Sequence, residues 1–257
     1  MNKPIGIFDS GIGGLSILNG LSQTFPKENF IYLADNKNCP YGKKSSQEIT
    51  ALSVKNCNTL IQLDCKMIIV ACNTATTNSI QHLRRLISIP IIGIEPGIKP
   101  AINYTKTNNI GILATEKTLE SKLFLKTSLS NKTDKIKIHE QIGHDLVNKI
   151  ENGADIGLIK KDLIKYINPM LEKNIDCLVL GCTHYHFINS IIKKIIPKKI
   201  KLIDTITPII QHIKNTLLKS KTLNTQKKLG TRKVFYNGDK IIEKYLKEEY
   251  DLGYINF

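Results

Sequence analysis

Nine short apolar runs, set between longer stretches of helical spacing, constrain the fold of this chain more than any other feature. They fall at residues 4–8, 30–34, 66–71, 91–94, 109–114, 136–139, 177–181, 201–203 and 233–236. Most do not alternate apolar with polar residues, as a strand with one wet face would. Unalternated runs belong to parallel strands covered on both faces. Helices are predicted at 14–23, 46–63, 76–87, 156–173, 187–195 and 208–219. Strands and helices in alternation define an α/β chain with mostly parallel sheets flanked by helices. Two seams interrupt the pattern, at Ile94-Glu95-Pro96-Gly97 and between Asp204-Thr205 and Thr207-Pro208. They predict a second α/β domain, residues 97–207, inserted into a first made of 1–96 and 208–257. The lysine-rich stretch 219–233 reads as a surface loop.

Composition excludes several classes. The chain has 257 residues, 41% of them hydrophobic, enough for a real core. No apolar run approaches the roughly 20 residues of a membrane helix. The only apolar stretch near the start, Ile5 to Phe8, runs into Asp9 and glycines, which is not the shape of a secretion signal. A cytoplasmic location is therefore expected, with no membrane partner. The six cysteines are scattered without a C-x-x-C pair, so neither a disulfide framework nor a zinc ribbon is expected, and no metal site is assigned. The net charge of +15 raises nucleic-acid binding as a reading. Against it, lysine carries nearly all the positive charge in short runs such as Lys193-Lys194 and Lys198-Lys199. Arginine occurs only at 84, 85 and 232, and Trp is absent. No nucleic-acid partner is expected.

The chemistry concentrates in two units of the same grammar. Met67-Ile68-Ile69-Val70-Ala71 ends in Cys72-Asn73-Thr74, and Cys177-Leu178-Val179-Leu180-Gly181 ends in Cys182-Thr183-His184. Each is an apolar strand, a small residue, a cysteine, then hydrogen-bonding residues that open a helix. Ligands of open α/β sheets bind outside the carboxyl ends of strands, so facing domains would set Cys72 and Cys182 on opposite sides of one cleft. Free N–H groups at a helix start attract carboxylates. Asn73, Thr74 and Thr183 add side-chain donors, although both threonines also suit helix N-caps. His184 is placed to tune or protonate a thiol. After the first strand, Asp9-Ser10-Gly11-Ile12-Gly13-Gly14 allows close backbone approach to a ligand. It does not match G-x-G-x-x-G, since residue 16 is Ser16, and Asp9 would repel a pyrophosphate. Asp9 fits better as a proton-handling partner of a thiol or an acceptor for an ammonium. Cys39, in the loop Cys39-Pro40-Tyr41-Gly42, lacks the strand-end setting and is not taken as a catalytic thiol.

These motifs resemble the cofactor-independent amino-acid racemases, and within them the glutamate racemases. The resemblance is carried by Ile7-Phe8-Asp9-Ser10-Gly11-Ile12-Gly13-Gly14-Leu15, Ala34-Asp35 leading to Pro40-Tyr41-Gly42, Val70-Ala71-Cys72-Asn73-Thr74-Ala75, Ile94-Glu95-Pro96 and Leu180-Gly181-Cys182-Thr183-His184-Tyr185. It implies two pseudo-symmetric α/β domains with the active site in the cleft between them. It implies Cys72 and Cys182 as acid/base catalysts, assisted by Asp9 near Cys72 and His184 near Cys182. Substrate contacts would come from Asp9, Ser10, Tyr41, Gly42, Asn73, Thr74, Thr183 and His184. The implied partner is glutamate, with no cofactor; a cell-wall precursor as activator and a homodimer are compatible with it. Three places depart from the family's pattern. His186 stands where a proline is common and Asp204-Thr205 where aspartate-serine is common. A middle segment that often ends in a functional glutamate reads Gly143-His144 here, with Glu151 as its candidate match, and that glutamate is not carried over.

The expected reaction is exchange of an α-proton between two opposed thiols, supplying D-glutamate for peptidoglycan. A free thiol titrates near ~8.5, so a neutral-pH thiolate needs only modest help. Two other enzymes are compatible with the residues: a racemase for aspartate or another amino acid, and a cysteine hydrolase or transferase using Cys182 with His184. The hydrolase leaves Cys72 idle, and neighbours in sequence seldom face each other as a dyad.

Overall fold

The computed structural model describes residues 3–130, 135–239, 245–246 and 250–257. Its strands are β1 Ile5–Asp9, β2 Phe30–Ala34, β3 Met67–Val70, β4 Ile91–Gly93, β5 Asn109–Ala114, β6 Lys137–Ile142, β7 Cys177–Gly181, β8 Lys201–Ile203, β9 Arg232–Tyr236 and β10 Asp251–Tyr254. The helices are α1 Leu15–Thr24, α2 Ser46–Gln62, α3 Asn73–Leu86, α4 Ile98–Tyr104, α5 Glu116–Leu119, α6 Lys122–Ser130, α7 Leu146–Glu151, α8 Ile156–Leu171, α9 Asn189–Ile195 and α10 Ile206–Lys219. No helix of the described residues is long and apolar enough to cross a membrane.

The strands form two parallel sheets, ordered β10-β9-β2-β1-β3-β4 and β6-β5-β7-β8. The unalternated runs have the expected cause. On β3, Met67 and Ile69 enter one apolar cluster while Ile68 and Val70 enter another. On β7, Leu178 and Leu180 share the first cluster, and Cys177 and Val179 enter a third. One cluster therefore joins the facing sides of both sheets, and each outer side has a core of its own.

Local chemistry sets the helix starts. Ser45 caps α2 in a reciprocal box, its hydroxyl accepting from Glu48 N while the Glu48 carboxylate accepts from Ser45 N. Asp155 caps α8 through Gly157 N and Leu158 N. The third helix starts at Asn73, three residues earlier than predicted, because the Cys72 sulfur itself accepts from Ala75 N. The predicted helix at 187–195 is α9, which starts two residues later because a 3-10 turn, Thr183–Ile188, precedes it. The tenth begins at Ile206, so Pro208 falls in its first turn, where its missing N–H has no intrahelical partner to lose.

Helices α4 to α7 and strand β10 lie outside the elements predicted from sequence. These helices run from four to nine residues, too short for a hydrophobic period, and α4 contains Pro100. The tenth strand reads Asp-Leu-Gly-Tyr with no β-branched residue and sits at a sheet edge. The sixth extends three residues past its predicted end, through Glu140 and Gln141, since an edge strand tolerates polar residues.

The C-terminal stretch is tied to the first sheet by a buried charge. Lys66 Nζ lies 2.6 Å from Glu28 Oε2 and 2.7 Å from Thr222 O, and Glu28 Oε1 accepts from Asn224 N at 2.6 Å. Removing one partner strands the other charge in a dry site. Lys66→Ala is expected to lower unfolding free energy by about 3–5 kcal/mol, read by urea denaturation. An unchanged midpoint would contradict this role.

Candidate active site

The two sheets share a strand order once the added β9 and β10 are set aside: β2-β1-β3-β4 corresponds to β6-β5-β7-β8. Connections diverge where the order reverses, leaving a crevice outside the carboxyl ends of the two central strands. In the first sheet this point lies between β1, ending at Asp9, and β3, followed by Cys72. In the second it lies between β5, followed by Thr115, and β7, followed by Cys182. The two cysteines thus occupy equivalent positions of repeated topology, each directly before a helical segment, and Cys72 also caps its helix through the sulfur.

The two crevices are laced together by hydrogen bonds. Asp9 Oδ2 accepts from Thr183 Oγ1 at 2.9 Å, and Asp9 Oδ1 from Gly11 N at 2.8 Å. In mirrored fashion Thr74 Oγ1 lies 2.9 Å from Thr115 Oγ1 and 3.2 Å from Thr118 Oγ1. Neither threonine hydroxyl makes the N-cap bond that the sequence allowed, because each is used across the cleft. The glycine loop is pressed against the opposite wall. A Cβ on Gly11 would stand 1.8 Å from Glu151 Oε1, and one on Gly13 would stand 2.5 Å from His184 Nδ1.

Cys72 and Cys182 have opposite electrostatic surroundings. Cys72 Sγ accepts from Ala75 N at 3.4 Å and donates to Ser10 Oγ at 3.8 Å. Burial, with the charge of Asp9 second, pushes its thiol up to about 12. Ala75 N and Ser10 Oγ favour the Cys72 thiolate, but burial and the charge of Asp9 outweigh them. Cys182 Sγ lies 3.8 Å from His184 Nδ1. Burial alone would push the His184 imidazolium down, but contacts with Cys182, Cys39 and Glu151 hold it well above its ordinary 6.5. Burial raises the Asp9 carboxyl, an effect that His184, Gly11 and Thr183 only partly offset. A carboxyl and an imidazole displaced toward protonation in one buried cleft mark a proton-transfer site.

Glu151, at the end of α7, is central here although the sequence reading set it aside. Its Oε1 accepts from Ile12 N at 2.8 Å, faces His184 Nε2 at 2.5 Å and accepts from Cys39 Sγ at 3.7 Å. Burial would raise its carboxyl, but His184 and Ile12 N outweigh that and leave it below 4.5. The one sequence signal for it was the segment after Gly143-His144. Cys39 and Thr115 were also outside the predicted set. Of the other predicted residues, Tyr41 and Asn73 have their polar atoms engaged within the first sheet's half. Tyr41 Oη donates to Asp35 Oδ2 at 2.5 Å and accepts from Asn56 Nδ2 at 3.0 Å. Asn73 Nδ2 donates to Ile94 O at 3.0 Å. Gly42 packs against Thr115, where a Cβ would stand 3.0 Å from the threonine's own. Two departures from the family pattern meet: His186 Nε2 lies 3.2 Å from Thr205 Oγ1.

Known proteins agree with this architecture. Residues 6–213 match the model of the Asp/Glu/Hydantoin racemase family, and the chain belongs to that family. Glutamate racemases are among the relatives it resembles. It is 41% identical over 215 residues to the glutamate racemase of Ralstonia pickettii (strain 12J), covering 83% of this chain and 76% of that one. The crystal structure of glutamate racemase isoform RacE1 from Bacillus anthracis matches with a TM-score of 0.89 at 29% identity, over 99% of this chain and 97% of that one. Francisella tularensis glutamate racemase, solved in complex with D-glutamate, matches with a TM-score of 0.86 at 30% identity, over 99% and 98%.

Two expectations follow from the packing. Gly11→Ala and Gly13→Ala should fold normally by circular dichroism yet lose about 100-fold in kcat/KM, since an ångström of misplacement in a catalytic cleft costs that much. Wild-type kinetics in both would show that this approach is not needed. The His184–Glu151 pair also predicts a pH dependence. A raised His184 stabilises fully below 6.5 and loses that contribution as pH rises through its elevated value. A lowered Glu151 stabilises fully above 4.5 and loses it as pH falls through its depressed value. Glu151→Gln should therefore destabilise by about 1.5–3 kcal/mol, most between pH 4.5 and 6.5. The difference should shrink toward both extremes in denaturation measured across pH; a pH-independent difference would contradict the ion pair.

Proposed function

We propose that this enzyme interconverts L- and D-glutamate by moving the α-proton between Cys72 and Cys182. The observation that carries the reading is the repeated topology: two cysteines at equivalent strand ends, joined across one cleft by the Asp9–Thr183 and Thr74–Thr115 hydrogen bonds. The glutamate racemases among its relatives supply the substrate. On this reading residues 1–96 with 208–257 form one domain and 97–207 the other, and substrate enters as they part.

In one direction the Cys182 thiolate removes the α-proton and becomes a thiol. The Cys72 thiol gives its proton to the opposite face of the same carbon and becomes a thiolate. The protonation states are then exchanged, and the reverse reaction starts from the exchanged form. Burial and Asp9 favour Cys72 as the thiol at rest, while His184 Nδ1 takes or returns the proton of Cys182. The substrate ammonium, held by Asp9, brings a positive charge that eases loss of the Cys72 proton in the other direction. Charge developing on the substrate carboxylate is met by the N-terminal amides of α3, by Asn73, and by Thr74 and Thr183, which exchange their cross-cleft partners for substrate oxygens. Glu151 positions His184 through Nε2. The reaction belongs in the cytoplasm, where D-glutamate feeds peptidoglycan synthesis.

The decisive experiment is incubation with L- or D-glutamate in deuterium oxide without added cofactor. Solvent deuterium should appear at the α-carbon with inversion. Cys72→Ser and Cys182→Ser should each lower racemisation about 10²–10⁴-fold, the usual worth of a positioned acid or base. Folded wild-type protein that exchanges neither enantiomer, or near-normal rates in both variants, would refute the mechanism.

A further inference from the structure

Cys39, Glu151 and His184 are far apart in sequence and meet at one point of the cleft. Their donor atoms, a thiol sulfur, a carboxylate oxygen and a ring nitrogen, all lie within 4.8 Å of one another. His184 is buried, and Cys39 and Glu151 are partly so. We propose that these three side chains form a site for a thiophilic divalent cation of the zinc type, and that its occupancy switches the enzyme off.

Chemistry and geometry both support it. Zinc takes sulfur, nitrogen and carboxylate oxygen together, with bonds of about 2.0–2.3 Å in a tetrahedron. Such bonds put neighbouring donors about 3.3–3.6 Å apart. Cys39 Sγ stands 3.7 Å from Glu151 Oε1, so that edge already has the right length. The Glu151–His184 edge is 2.5 Å and must lengthen by a small rotation of the carboxylate, replacing one hydrogen bond by two metal bonds. Three protein donors leave a fourth position for water. Binding releases the Cys39 thiol proton and the His184 Nε2 proton to solvent, since only the thiolate and the free ring nitrogen coordinate. Hard cations such as magnesium prefer oxygen alone and should not compete.

Inhibition follows from which atoms are used, and it rests on the reading of His184 as the proton partner of Cys182. Nε2 is the nitrogen that faces Glu151, and Nδ1 is the one beside Cys182. A metal on Nε2 fixes the ring as an Nδ1–H donor that no longer cycles its proton. It also ties the loop after β2, which carries Cys39, to α7 and the turn after β7, which belong with the other sheet. The cleft is thereby held closed against substrate exchange.

The test measures binding separately from catalysis. Purified full-length protein is titrated with zinc alone by calorimetry and with cobalt(II) alone by absorption spectroscopy. Wild type should take up one zinc per chain, and cobalt should give a thiolate charge-transfer band. The Cys72→Ser/Cys182→Ser variant should keep both signals, and Cys39→Ser should bind at least tenfold more weakly and lose the band. Zinc should inhibit wild-type racemisation, reversibly by chelator, and whatever metal-free rate Cys39→Ser retains should be insensitive to zinc. If Cys39→Ser does not fold, Cys39→Ala and Glu151→Gln serve in the binding assay. The site is wrong if folded wild type takes up no stoichiometric zinc, or if binding follows Cys72 and Cys182 instead of Cys39. One-to-one binding through Cys39 without inhibition would overturn the switch and the proton-partner role of His184, leaving the metal site intact.

Discussion

Four segments of the chain converge on one oxygen atom, Glu151 Oε1. The glycine loop reaches it through Ile12 N, the turn after β7 through His184 Nε2, and the loop after β2 through Cys39 Sγ, while α7 supplies the carboxylate itself. The glycines are explained by this convergence. A Cβ on Gly11 would occupy the space of the oxygen, so the loop approaches only because that position has no side chain. The state of His184 depends on it too. A buried imidazole would ordinarily lose its proton, and the adjacent carboxylate is among the groups that keep it charged beside Cys182.

The repeated sheet order gives the cleft a pseudo-symmetric frame, but its charges are not symmetric. Cys72 is next to Asp9 and is driven toward the neutral thiol, whereas Cys182 is next to a cationic His184. One strand order, used twice, delivers two thiols to opposite walls. The frame repeats, but the groups around each thiol do not: a carboxyl beside Cys72 and an imidazole beside Cys182. The polar atoms that would meet a substrate carboxylate hold each other across the cleft, which keeps a dry site free of unpaired donors.

Much of this was legible because the relevant signals are local. The apolar runs of β1, β2, β3, β5 and β7 and the strand–cysteine–helix units around Cys72 and Cys182 are contiguous in the chain. Short helices such as α5 and α7, and the edge strand β10, carried no period and were missed. Glu151, Cys39 and Thr115 were missed as participants for another reason. Only the segment after Gly143-His144 points to Glu151, and what joins these residues is not local; Glu151 lies 139 residues from Ile12 and 112 from Cys39.

The residue order carries the parallel α/β character, the matching strand-end settings of Cys72 and Cys182 and the glycine loop after β1. Each of these rests on residue types at short range, where covalent spacing dictates geometry. Tertiary structure alone decided that Thr74 and Thr183 bond across the cleft instead of capping helices, and that the Cys72 thiol is held high. It also decided that Glu151, His184 and Cys39 share one point. Hydrogen-bond choice, desolvation and the meeting of donors all depend on which surfaces face each other, and spacing along a chain does not contain that.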